Sequence, residues 1–576
     1  MSADSTTLAG QPIVADGKAA GSWPIAVIAG VAYVLIVICM WGSFATSSGM
    51  GYETAFPYMS ETSQGGHGFL YEADPLRIFT NVFYHLSYLL SALLGIRGSF
   101  TAYQIVYAAL WWGRGMLMFL IIRRLAPNSA ILPFSIGALT LVHASDGALQ
   151  WIGQINQFGF IFWMLLAVYT LVVALQRVTA FRAAVYVALA CCFEYLCLWS
   201  YESPLFILVS APIVLAFLVR PKSRSRALLL VAVWYAVPLR YLYLTYLRYS
   251  SAGGGTYQAT VIRKTWSAYA ILSDLAFNVQ YSLSFWSWNP ADPHMQADRI
   301  LFLSAGAVGI FVLAGLIVAY LRKSRGIHSE PIRNSRLWVL LATGVVFLVL
   351  SFPAYLLLGE TRNSWRTQFL SGIGTAIVFG VAISLLARLI PDRRFQSVFA
   401  IILAAPLIWL GADTAIERGG YHRWLWQRHL RGVQEVLRAA PRVQDGTVVV
   451  MVGVPKATDP FGDDYWFDMA LRLAYPRTQV AGVYYYEDGT ANPGDNLDLQ
   501  GRQWEWNVKH FGSLIRSAAV DKTLVLEYEA DGIAKVLPSI PPFVCMEPCD
   551  DREYVPGTRI IGARPSPEAL RRYGPL

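Results

Sequence analysis

The sequence predicts a polytopic α-helical membrane protein with about eleven transmembrane helices and a small C-terminal α/β domain outside the bundle. Three observations carry this. The first is composition: 55% of the 576 residues are hydrophobic and 14% are charged, where a soluble domain carries about 25% charged residues. Mean hydropathy is +0.43. The second is the recurrence of apolar segments long enough to meet the ~20-residue requirement of a bilayer-spanning helix. The third is the charge of the loops between them, which alternates along the chain.

The segments lie at 24–44, 103–122, 129–143, 158–176, 183–200, 204–220, 227–246, 300–321, 337–358, 369–387 and 395–412. Every second loop is rich in Arg and Lys: "IIRRLAPN", "QRVTAFR", "VRPKSRSR", "LRKSRGIHSEPIRNSR" and "ARLIPDRR". These are expected on the cytoplasmic side. The other set, "HASDGALQWIGQINQ", "YES", 247–299 and "ETRNSWR", is poorer in cations and is expected outside. The formal charge of +9 thus reports topology rather than a nucleic-acid partner. Residues 1–22 have no basic n-region, so the first segment reads as a retained helix behind a cytoplasmic tail, in the plasma (inner) membrane. The segment 78–95, "IFTNVFYHLSYLLSALLG", is apolar, but counting it as a span would invert every later loop. It reads as a helix in the outer interface, with Tyr103, Trp111 and Trp112 as anchors.

The bundle is therefore expected over 23–412, with a first outer loop at 45–102, and a soluble extracytoplasmic domain over 413–576. In that domain "GTVVVMVGVP", "QVAGVYYY" and "KTLVLEYE" read as strands, and "DDYWFDMALRLAY" as a helix with acids in its first turn. Cys545 and Cys549 of "CMEPC" would then lie in an oxidising compartment and could close a disulfide. Cys39, Cys191, Cys192 and Cys197 lie in apolar segments as packing thiols.

No soluble-enzyme motif is present: no G-x-x-x-x-G-K-[ST], no H-E-x-x-H, no G-x-S-x-G. His67, His85 and His143 are not at metal-ligand spacing. The polar features that remain all fall at the outer ends of spans. They are the acids Glu53, Glu61, Glu72 and Asp74 with Arg77, then His143 and Asp146, Glu202, Arg248, and Arg362 with Arg366. Ionisable groups at that depth are costly unless they line a wet cavity or a site, so five loops carrying them point to one shared pocket. In such a set a carboxylate can act as a general base and Arg suits a phosphate or other anion.

The stretches "DPLRIFTNVFYHLSYLLSALLGIRGSFTAYQIVYAALWWGRGMLMFLIIRRL", "HASDGALQW" and "SYESPL" resemble the GT-C superfamily of polytopic glycosyltransferases, in particular the branch with the tetratricopeptide-type O-mannosyltransferases. The resemblance covers roughly residues 24–250. It departs in two places: the family's acid pair is represented by "YET" around Glu53, and its "RPL" by "DPLR", which moves the Arg to Arg77. It implies a GT-C-like bundle and a polyprenyl-phosphate-linked sugar donor. It also implies a glycan, lipid or protein acceptor, and inverting transfer that is metal-independent or weakly dependent on a divalent cation such as Mg or Mn. It favours Glu53 as base over Asp74, and "EAD" at 72–74, with Glu72 and Asp74, also resembles the superfamily's degenerate acidic motif and makes both catalytic candidates. Glu72 and Asp74 also suit the start of the helix after Pro75. Arg362 and Arg366, with Arg248 in reserve, are the arginines for the lipid phosphate. Two other readings stand beside this one: a polysaccharide ligase or polymerase, and a lipid-linked sugar flippase or transporter. Glu194, inside the fifth span, is the residue a transporter would explain best.

Overall fold

The computed structural model describes residues 23–41, 74–96, 100–149, 151–176, 179–219, 223–251, 263, 266–284, 297–324, 332, 334–357, 367–462, 464–476, 478–491, 497–500, 503–508, 514–529, 532–544 and 554–574. Glu53, Glu61, Glu72, Arg362, Arg366, Cys545 and Cys549 lie outside the described residues.

The bundle is built from α1 (Trp23–Trp41), α2 (Val82–Leu93), α3 (Thr101–Leu125), α4 (Ile131–Val142), α5 (Ile155–Gln176), α6 (Ala180–Leu198), α7 (Leu205–Leu218), α8 (Arg224–Ser251), α9 (Ala268–Leu283), α10 (Ala297–Ser324), α11 (Asn334–Leu350), α12 (Pro353–Leu356), α13 (Gly372–Ala387) and α14 (Arg393–Ala439). Among the described residues, eight helical stretches are long and apolar enough to cross a membrane. α4, α7 and α13 have 12, 14 and 16 residues, about 18–24 Å at 1.5 Å per residue, against a hydrocarbon core of about 30 Å. Three of the eleven expected spans are therefore shorter than a full crossing. α4 shows how such a helix is accommodated: all of its residues are buried, and it packs on α3, α10, α13 and α14. It meets other helices, not lipid. α2 has 12 residues, too few to cross alone, in the segment expected to lie at the interface.

Helix association in a bilayer depends on close backbone approach, because lipid tails supply no hydrophobic drive between helices. Gly411 of α14 shows this, since a Cβ there would stand 2.2 Å from the carbonyl oxygen of Val142. Any larger residue would force α14 away from the end of α4.

The two ends of the bundle differ chemically. At one end Arg322 donates to the Asn128 carbonyl, Arg336 to that of Leu218 and Arg388 to that of Ile332. This basic end gathers the Arg-rich loops. The opposite end carries the C-terminal domain. α14 connects the two: its 47 residues extend about 70 Å, twice the hydrocarbon thickness, so one continuous helix leaves the bundle and enters the domain.

The domain contains β1 (Val448–Val454), α15 (Asp464–Ala474), β2 (Ala481–Tyr486), β3 (Leu497–Gln500), β4 (Gln503–Val508), β5 (Leu514–Ala519), β6 (Thr523–Tyr528), β7 (Ala534–Val536) and α16 (Pro567–Tyr573). One sheet has the order β2-β1-β6-β7. β1 pairs in parallel with β2 and β6, and β7 is an antiparallel edge. β1 is buried along nearly its whole length, as the centre of a covered parallel sheet must be. β3, β4 and β5 form a second, antiparallel sheet. The domain seats on the bundle through aromatic contacts: Trp466 of α15 lies edge-on to Trp151 at 6.2 Å, and Trp426 of α14 edge-on to Phe100 at 5.3 Å.

Candidate active site at the domain end

Two polar clusters sit at the domain end. The first is made by the residues just before α2. Asp74, Pro75, Leu76 and Arg77 form a turn in which the Arg77 N–H donates to the Asp74 carbonyl at 2.9 Å, with Asp at the first position and Pro at the second, as such turns favour. Asp74 Oδ1 accepts the Leu76 N–H at 2.9 Å and is also engaged by Arg248 at the end of α8. Arg77 grips Glu202 with two bonds, Nη2 to Oε1 at 2.6 Å and Nε to Oε2 at 3.2 Å, the fork geometry that makes such pairs strong. Its guanidinium lies 4.8 Å from the centre of the Tyr201 ring. Burial opposes the Arg77 charge, but Glu202, Tyr201 and Asp74 outweigh it and hold its pKa above the ordinary value. The Phe79 N–H donates to the Trp199 carbonyl at 3.0 Å and Thr80 Oγ1 to that of Ser200 at 2.9 Å. The end of the first loop is thereby fastened to the α6–α7 connection and to α8.

The second cluster is deeper. Asp146 is 1% exposed. Its Oδ1 accepts the Ala148 N–H at 2.9 Å and its Oδ2 the Gln368 N–H at 2.9 Å. α14 clamps the same loop, with Arg418 donating to the Asp146 carbonyl and His422 Nε2 to that of Gly147 at 3.2 Å. Arg418 and His422 are four residues apart and so share one helix face. Arg114, inside α3, donates to the carbonyls of Thr140 and Phe369, and both buried arginines feel the Asp146 charge. His143 Nε2 lies 3.2 Å from both the carbonyl and the hydroxyl of Ser282. The Ser282 hydroxyl reaches Ser371 and Thr375, each at 2.8 Å. Asn278 Oδ1 accepts from Gln368 Nε2 at 3.0 Å and from Thr367 at 3.2 Å. Tyr355 of α12 stands between the clusters, within electrostatic reach of Tyr201, Glu202 and Asp146.

Of the residues singled out in the sequence, the structure brings Asp74, Arg77, Glu202 and Arg248 together, and it buries His143 and Asp146 beside them. Asp74 and Arg248, assigned to base and phosphate roles, are committed to each other. Asp146 is held by two backbone donors, the N–H groups of Ala148 and Gln368. Sequence reasoning missed Arg114, Gln368, Asn278, Ser282, Arg418 and His422. Arg114 had a signal, since a lone arginine within the apolar "ALWWGRGMLMF" is costly without a role. Among the described residues no group of three or more His, Cys, Asp or Glu could hold a metal ion. Of the carboxylates in these clusters, Asp74 binds Arg248, Glu202 binds Arg77 and Asp146 accepts two backbone N–H groups.

Gly372, the first residue of α13, is what admits His143: a Cβ there would stand 2.7 Å from the ring Nδ1. Gly372→Ala is expected to push the imidazole off Ser282 and to cost about 1–3 kcal/mol, the usual range for overpacking. Thermal unfolding of the purified chain checks this, and an unchanged midpoint would mean that His143 is not held there.

No protein-family model matches the sequence, and no curated protein matches it. Among solved structures the chain is similar to the oligosaccharyltransferase of Archaeoglobus fulgidus, crystallised with zinc and sulfate, at 15% identity and a TM-score of 0.38 over 74% of this chain. The match spans 60% of the length of that protein. It is also similar to ArnT from Cupriavidus metallidurans bound to undecaprenyl phosphate, at 12% identity and a TM-score of 0.34 over 77% of this chain and 84% of that one. The apo form of ArnT gives 14% identity and 0.33 over the same shares. At these scores the likenesses carry no argument about activity.

Proposed function

We propose that this chain is an integral-membrane glycosyltransferase that moves a sugar from a polyprenyl-phosphate-linked donor to a glycan, lipid or protein acceptor. The transfer takes place at the domain end, on the outer face of the membrane. The observation that carries the reading is the convergence at that end: the first loop is bound by Arg77–Glu202 and Asp74–Arg248 beside the buried Asp146. The sequence resemblance over 24–250 supports it independently.

In this reading Glu53 takes the proton of an acceptor hydroxyl. The acceptor oxygen bonds to the anomeric carbon as the bond from that carbon to the phosphate oxygen breaks, with inversion. The electron pair leaves on polyprenyl phosphate, whose charge Arg362 and Arg366 meet. The Arg77–Glu202 and Asp74–Arg248 pairs fix the base of the loop that carries Glu53. Arg248 reaches a phosphate only by releasing Asp74. The C-terminal domain, fastened through α14, presents or covers the acceptor.

The test is turnover in proteoliposomes, with hexosyl and pentosyl polyprenyl phosphates offered and release of polyprenyl phosphate followed. Acceptor-dependent release is expected, and tight binding without release for every donor would refute transfer. Orientation has its own test: a reporter after Leu576 should read outside and one within "RPKSRSR" inside. A cytoplasmic C-terminus would contradict the outer-face assignment.

One observation favours a transporter as the second reading. Glu194 is fully buried on the inward stripe of α6, and among the described residues its carboxyl oxygens have no hydrogen-bond partner. Proton-driven movement of lipid-linked sugar without bond cleavage would support that reading.

A further inference from the structure

α9 is amphipathic in the sense opposite to a helix on a soluble surface. Such a helix turns its apolar stripe inward and its polar face to water. Here the inward face carries Asp274, Asn278 and Ser282. Asp274, the helix's one charged residue, is neutralised by Arg263 at 2.5 Å. Asn278 and Ser282 hold Gln368, Ser371 and Thr375. The outward face carries Tyr269, 83% exposed, Leu272, 64%, and Phe277, 50%, with Trp266 just before the helix at 59%. Ser273 and Gln280 are the polar members of that face, and it has no charge.

The ends of α9 fix its level. Before it, the Arg263 N–H donates to the carbonyl of Leu357 at 2.9 Å, at the domain end of the α11–α12 span. In its last turn, Ser282 meets Thr375 in the first turn of α13. Both ends are thus tied to the domain ends of neighbouring helices, the first to Leu357 just after α12 and the second to the first turn of α13. α9 packs against α11 and α12, and α11 carries exposed Val345 and Val346 while exposed Leu357 follows α12.

We propose that α9 lies in the interface of the bilayer leaflet at the domain end, with Tyr269, Leu272 and Phe277 among lipid acyl chains. It thereby forms the lipid-side wall of the second polar cluster. Trp and Tyr at this depth are the residues that anchor in an interface, and an uncharged aromatic face of this size is out of place in water. The wall is one helix, about 10 Å, thick, so lipid and the His143–Ser282–Ser371 cluster stand on its two sides. This inference rests on the bundle being in a membrane and is independent of the transfer chemistry.

The test uses the full native chain in nanodiscs with two carbene probes, one dissolved in lipid and one in water, read by peptide mapping. The 266–284 peptide is expected to take the lipid-borne label several-fold over the aqueous one, as the peptide of α11 does. The peptide of α16 in the domain, the internal control, should show the reverse. Labelling of 266–284 like α16 would overturn the proposal. Labelling by neither probe would overturn it too, because protein would then cover the face. No outcome depends on catalysis, so its failure is distinct from failure of the transferase reading.

Discussion

Asp146→Asn is expected to destabilise the chain by about 3–5 kcal/mol, the cost of removing one partner from a buried charge network. The amide keeps the shape but turns an N–H group toward one of two backbone donors, Ala148 or Gln368, both at 2.9 Å. It also withdraws the negative charge felt by the buried Arg114 and Arg418. The loop at 143–149 is held on one side by α14 and on the other by 367–371, so its release should loosen the seat of the C-terminal domain. Thermal unfolding and yield of folded protein report the effect. A variant as stable as the parent but inactive would show that Asp146 takes part in chemistry instead. Asp74→Asn removes one ion-pair partner and a turn-capping oxygen near the surface, and should cost only about 1 kcal/mol.

Glu53→Gln is expected to lower the transfer rate by about 10²–10⁴-fold, or ~3–5 kcal/mol of barrier, while leaving donor binding intact. Glutamine matches the volume and still hydrogen-bonds, but it cannot take a proton from the acceptor. Asp74 Oδ1 is engaged by Arg248 and the Leu76 N–H, and Glu53 lies outside the described residues. The two variants belong in one assay with matched folded protein. If Glu53→Gln turns over near wild type while Asp74→Asn is dead, the base is Asp74. If both remain active, the first loop does not supply the base.

The spans were legible because bilayer insertion writes a strong, local signal. The segment 24–44 is α1 at Trp23–Trp41, and 103–122 is α3 at Thr101–Leu125. Three strands of the domain, β1, β2 and β6, were legible for a similar reason, as short β-branched and aromatic runs bounded by turn residues, whereas β3, β4, β5 and β7 were not read. Span length was less legible. α4 looks like a span by composition, but its 12 residues are apolar because other helices surround them. Hydropathy cannot tell a lipid neighbour from a protein one. α9 was missed for a related reason: with its apolar face turned outward it has no core-facing stripe to find, and its segment read as outer loop. The site was half legible. Polar residues at span ends marked which loops matter, but pairing across 222 residues, as between Asp146 and Gln368, has no local trace. Arg418 and His422 follow the last apolar run and read as the start of a soluble tail. Only the continuity of α14 turns them into a clamp on the bundle.

The most direct measurement is density for bound polyprenyl phosphate in the full chain. The phosphate should lie at the domain end, beside the segment that carries Arg362 and Arg366 and within reach of the loop that ends at Asp74 and Arg77. A phosphate at the basic end, among Arg322, Arg336 and Arg388, would contradict the site, the orientation and the proposed activity together.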